Sequence, residues 1–159
     1  MRAFTLIELI FTIVIIGILA AVAIPKFTNL STYARHYSIK SILASVYSSI
    51  ENIHGKWLIN DEYNWTSFDG LATLNNNGYP TKLDSGKGEN ELFKYVLKVP
   101  VLSCGGKKIN CLEEWDDKRY RYFYTQNKIL QFDYNATSGR LECTDGVGIS
   151  KEECKRIIY

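Results

Sequence analysis

Histidine is nearly absent from this sequence, with only His36 and His54. They are 18 residues apart, so on one helix they would stand about 27 Å apart along the axis. They cannot share a metal ion or a proton. Also missing are CxxC, GxSxG, HExxH, a Walker loop, an EF-hand loop and a dinucleotide fingerprint. Gly105-Gly106-Lys107-Lys108 lacks the upstream glycine and the following Ser or Thr of a phosphate loop. An excess of one charge is missing too: 19 Lys and Arg against 17 Asp and Glu leave +2. That is too mild to imply a nucleic-acid or polybasic membrane partner. With 46% hydrophobic and 23% charged residues, the average is that of an ordinary globular domain.

The hydrophobic residues are concentrated at one end. Phe4 to Ile24 is a run of 21 residues with one charge, Glu8. As a helix it rises about 31 Å, one hydrocarbon core. Arg2 is the sole charge before it, which places the amino-terminus in the cytoplasm by the positive-inside rule. A cleaved secretory signal is the competing reading, since Ala21-Val22-Ala23 fits its cleavage pattern. Glu8 argues against it. A carboxylate in an apolar span costs about 2.5–3.5 kcal/mol on insertion scales, and a discarded signal has no use for that penalty. Gly17 and Pro25 weaken the helix further.

Beyond Pro25 the apolar positions are Phe27, Leu30, Ala34, Tyr37, Ile39, Ile42, Val46, Ile50 and Ile53. Steps of three and four predominate, which predicts an amphipathic helix. His54-Gly55 is a stop signal.

The stretch Phe4-Thr5-Leu6-Ile7-Glu8, its apolar run and Ile24-Pro25-Lys26 resemble the processing signal of type IV pilins and type II secretion pseudopilins. The resemblance implies a leader at 1–3, cut by a prepilin peptidase between Ala3 and Phe4, and N-methylation of Phe4. Ala3 stands where glycine is usual in the family. The resemblance implies that Phe4, Glu8, Gly17 and Pro25 serve assembly. Glu8 would pair with the α-amino group of Phe4 in a neighbouring subunit, and the stretch between Gly17 and Pro25 could unwind in a filament. It further implies a single pass through the bacterial inner membrane at 4–25, an amphipathic helical half at 26–55, and a periplasmic body at 56–159. An inner-membrane platform would add the subunit to a filament of other pilins. The expected fold is α+β, a long N-terminal helix packed on a small antiparallel sheet. No enzyme activity, cofactor or metal is expected. The signal does not separate a major pilin, a minor pilin and a pseudopilin.

Within the body, residues 56–88 are rich in Asn, Asp, Gly, Ser and Thr, with Trp57, Trp65 and Phe68 as anchors. They read as a long connection, with turn signals at 75–78 and 85–88. Residues 91–97 read as a short helix ended by Pro100. Arg119–Thr125 and Ile129–Tyr134 read as a β-hairpin, followed by a turn at 135–139 into a strand at 140–143. Glu113, Glu114, Asp116 and Asp117 read as a solvated turn before that sheet. Asp145 to Glu153 lacks the spacing of a calcium loop.

The four cysteines allow three pairings. Outside the membrane they are expected as disulfides. The preferred pairs are Cys104–Cys111 and Cys143–Cys154, each closing a short loop. The second resembles the C-terminal disulfide loop of many pilins.

Two further features are candidates for binding or modification. Residues 118–124 interleave Lys118, Arg119 and Arg121 with tyrosines, so a membrane-tethered module for DNA or surface adhesion is the alternative function. Setting aside Arg2, Lys26 and Glu8 leaves 17 basic and 16 acidic residues, which gives no broad electrostatic footprint for nucleic acid. Asn64 and Asn135 lie in Asn-x-Thr sequons, each with an acid two residues before. Bacterial oligosaccharyltransferases prefer that context, so both are candidate glycosylation sites.

Overall fold

A computed structural model describes residues 5–60, 63–67, 70–86, 90–106, 108–116 and 118–159. Helix α1 spans Leu6–Ile59. The chain divides into two units, Met1–Tyr37 and Ser38–Tyr159. The first contains the apolar part of α1. The second contains the rest of α1 and every other element.

The second unit is α+β. The strands are β1 (Glu91–Leu92), β2 (Val101–Leu102), β3 (Cys111–Asp116), β4 (Arg119–Thr125), β5 (Lys128–Asn135) and β6 (Arg140–Val147), followed by helix α2 (Lys151–Ile158). β3 to β6 form a four-stranded antiparallel meander in sequence order, and β1 pairs with β2 separately. Alternation sets which side chains face inward. Leu130, Phe132 and Tyr134 of β5 are buried, as are Tyr120, Tyr122 and Tyr124 of β4. From α1, Ile39, Leu43, Val46 and Ile50 join the same core at helical spacing. Ring pairs fill its centre: Phe93 on Tyr120 at 4.8 Å, and Tyr120 on Phe132 at 5.5 Å.

Buried tyrosines carry hydroxyls that need partners. Tyr120 donates to the buried Asp84 carboxylate at 2.9 Å, and that same Oδ2 accepts the Phe93 N–H at 3.3 Å. Tyr134 donates to the Pro80 carbonyl at 2.7 Å. These bonds tie Pro80 and Asp84 of the long connection to the sheet and to Phe93.

Four local expectations need correction. First, α1 does not stop at His54-Gly55 but runs to Ile59, so Trp57 belongs to the helix. His54 stacks between Tyr79 at 4.0 Å and Trp57 at 5.7 Å. Trp57 lies against Gly78, where a Cβ would approach the ring to 2.3 Å. These contacts outweigh the cost of about 1 kcal/mol for a helical glycine. Second, 91–97 is not a helix. Glu91 and Leu92 pair with Leu102 and Val101, and Phe93 has φ 58°, a left-handed conformation that stops a helix. A single turn follows, closed by the Val96 and Leu97 N–H groups on the Phe93 carbonyl.

Third, the acidic cluster is strand β3. Leu112 and Glu114 point inward by alternation, and Glu114 Oε1 accepts the N–H of Lys118 at 3.1 Å, closing the β3–β4 turn. Asp117 lies outside the described residues, as do Lys107, Phe68, Lys87 and Gly88. Fourth, the chain ends in α2, which the sequence reading did not include. Ser150 caps it, accepting the Glu153 N–H at 3.2 Å, and Asp145 accepts the Lys151 N–H at 3.0 Å. The Lys155 ammonium holds the exposed Glu152 carboxyl below its usual range, by a hydrogen bond.

The hairpin is as expected, with a two-residue connection between Thr125 and Lys128. The turn at 135–139 is also present. Gly139 has φ +67°, and a Cβ there would lie 2.2 Å from the Tyr79 ring. Both disulfides form as preferred. Cys104–Cys111 has its Cα atoms 5.1 Å apart, and Cys143–Cys154 has 5.8 Å. The second fastens α2 to β6.

Two outcomes follow. Burial pushes the Tyr124 and Tyr134 phenols well above the ordinary tyrosine value. The unfolded chain ionises them near pH ~10, whereas the folded chain does not. Stability is therefore full below that pH and declines above it. The urea midpoint should be level up to about pH 9 and fall by about pH 11; a level midpoint throughout would contradict the burial of these phenols. Replacing Cys143 and Cys154 together with serine should lower stability by about 2.5–3 kcal/mol, read as a drop in the same midpoint.

Candidate assembly site

Helix α1 begins in the sequence Thr5-Leu6-Ile7-Glu8. The Glu8 N–H lies 3.4 Å from Thr5 Oγ1 and donates to the Thr5 carbonyl at 3.1 Å. Thr-x-x-Glu is the spacing of a capping box. A carboxylate in the first turn is also favoured by the positive end of the helix dipole. Local structure thus gives Glu8 a reason to sit near this terminus. It gives its carboxylate no partner: among the described residues Glu8 has neither an ion pair nor a side-chain acceptor bond. Ala3 and Phe4 lie outside the described residues.

Glu8 sits on a helical surface that the chain does not cover. Leu6–Phe27 is long and apolar enough to cross a membrane. Fourteen large apolar side chains in that interval are exposed, among them Leu6 at 76%, Phe11 at 67% and Ile16 at 63%. Burying each is worth about 1.5–3 kcal/mol. Left in water, their combined cost would exceed the stability of a typical domain, about 5–15 kcal/mol. Lipid or other chains must cover them.

Gly17 and Pro25 both lie within α1, which is helical through both positions. A Cβ on Gly17 would meet nothing within 4 Å, so among the described residues no contact explains the glycine. Small residues in membrane helices allow a second helix to approach closely. Pro25 removes a donor to the carbonyl four residues before it.

The basic-aromatic strand is differently disposed. Its tyrosines 120, 122 and 124 are buried in the core. On the opposite face, Arg119 forms a two-pronged bond with Asp133, Nε to Oδ1 at 2.9 Å and Nη2 to Oδ2 at 3.0 Å. This bond raises the guanidinium pKa still further. Arg121 donates to Gln131 at 3.0 Å and lies 3.8 Å over the Trp115 ring. The interleaved pattern therefore follows from strand alternation, and both arginines already have partners within the sheet. Among the described residues no cluster of His, Cys, Asp or Glu could hold a metal ion.

The two sequons differ. Asn64 is exposed, between α1 and the Thr66–Thr73 bridge. Asn135 is half-buried at the end of β5, its amide donating to Glu142 at 2.8 Å and its oxygen accepting the Thr137 N–H at 3.0 Å.

The family described as the prokaryotic N-terminal methylation motif matches residues 1–24. The chain is 30% identical over 105 residues to the type IV major pilin protein PilA of Myxococcus xanthus, covering 65% of this chain and 46% of that protein. It is 46% identical over 48 residues to the type IV narrow pilus major component PilA5 of Thermus thermophilus, covering 30% of this chain and 41% of that one. The matched stretch is thus under half the length of each relative. No solved structure matches significantly. The chain thus carries the prokaryotic N-terminal methylation motif at the start of an exposed apolar helix and is similar to type IV pilins.

Proposed function

We propose that the chain is a structural subunit of a type IV pilus filament. In this reading it waits in the bacterial inner membrane with its body in the periplasm. Prepilin peptidase removes 1–3, Phe4 is methylated, and an assembly platform adds the subunit to other pilins. The supporting observation is the lone Glu8 carboxylate on an apolar helix, without a partner among the described residues. A charge in an apolar setting requires a partner. The new α-amino group of Phe4 in an adjacent subunit is a suitable one, available only at one axial offset. Pairing would therefore fix register as well as add energy. The relatives are named as major pilus components, which favours a pilus over a secretion pseudopilus. Nothing in this role calls for catalysis.

Glu8→Ala should insert in the membrane as well as the native chain, because it removes an insertion penalty. It should nonetheless yield no filament. Membrane fractionation and electron microscopy of sheared cells read the two outcomes. Filaments at native abundance from the variant would remove the basis of this reading.

A further inference from the structure

The two Asn-x-Thr sequons look equivalent in sequence, and the fold separates them. We propose that Asn64 is the acceptor for an N-linked glycan and that Asn135 is not. The proposal rests on the pilus reading in one respect, that the body faces the compartment where such transfer occurs.

The transfer needs three things of its acceptor. The carboxamide nitrogen must be free to attack, the Thr two residues on must be reachable, and the backbone must adapt to the enzyme. The acid two residues before the Asn assists recognition in bacteria. In the reaction, the Asn Nδ2 bonds to the anomeric carbon of a lipid-diphosphate-linked oligosaccharide. The bond from that carbon to the phosphate oxygen breaks, the lipid diphosphate leaves, and one amide proton passes to a base. No oxidant or reductant is involved.

Asn135 fails on three counts. Its nitrogen already donates to Glu142 Oε1, and its oxygen holds the Thr137 N–H in an Asx turn. Its backbone is paired with Arg140 in the sheet. The acid two residues before it, Asp133, has both oxygens bound by Arg119. Attack by this amide would require breaking the bond to Glu142, leaving the turn and freeing Asp133 from a bidentate ion pair.

Asn64 meets the requirements. It is exposed, and among the described residues its carboxamide has no hydrogen-bond partner. Residues 63–65 carry no regular structure, and regular pairing resumes only at the isolated bridge of Thr66 with Thr73. Thr66 is itself exposed. Trp65 between them is half-buried, in a hollow shared with Glu91, Lys94, Tyr95 and Pro100. Thr66 lines the same hollow, and the side chains of Asn64 and Thr66 are both exposed.

Intact-mass measurement of the full chain purified from its native cells tests the proposal, and the same spectrum reports the state of the amino-terminus. The native chain should carry added sugar mass. Asn64→Gln and Thr66→Ala should lose all of it, while Thr66→Ser, which restores a hydroxyl, and Asn135→Gln should keep it. Sugar retained in Asn64→Gln, or lost in Asn135→Gln alone, overturns the assignment. No sugar on a chain that has been cut and methylated at Phe4 overturns this proposal and leaves the pilus reading standing. No sugar on an uncut chain overturns both.

Discussion

A helical surface that its own chain cannot bury is the constraint on which the rest depends. From Leu6 to Phe27 the side chains are apolar on every face, and the single acid among them is unpaired. Neither feature is tolerable in water, and lipid suits the first but not the second. A membrane and then a stack of like helices, as proposed above, would satisfy both in turn. In the proposed reading, lipid would cover the apolar surface of the waiting subunit, and neighbours would replace the lipid while supplying an ammonium. Gly17, whose added Cβ would meet no described residue within 4 Å, is compatible with the same proposal.

The second unit is built on the opposite principle. Its core is closed by residues of its own: a four-residue stripe from α1, three alternating tyrosines of β4, the inward face of β5 and two disulfides. In the proposed reading, this division would let one part depend on assembly while the other is closed by its own core. On the outer face of the sheet Arg119 is paired with Asp133, and Arg121 is held by Gln131 and the Trp115 ring.

Much of this was legible because the signals were periodic or rare. An apolar run with one acid, a stripe at three and four spacing, a tyrosine-rich hairpin and four cysteines closing short loops each have few alternative readings. The misread elements were those decided by distant contacts. Gly55 stops an isolated helix, but the stack of His54 with Tyr79 and Trp57 carries α1 past it. Residues 91–97 have a helical pattern, yet Phe93 takes a left-handed φ to reach the core. The acids of β3 suggested solvent, until Glu114 proved to close a turn from the inside. For α2 the signal was present: Ser150 and Glu153 have capping-box spacing, and Cys154 and Ile157 are three apart. The inequality of the two sequons could not be read locally, since Glu142 and Arg119 come from other strands.

The central claim is that the partner of Glu8 belongs to another subunit. A density map of the assembled filament tests it directly. The account predicts the Glu8 carboxylate within about 4 Å of the methylated α-amino group of Phe4 in an adjacent subunit, in the same register along the whole filament. A map with Glu8 facing lipid or solvent, and that amino group elsewhere, would contradict it.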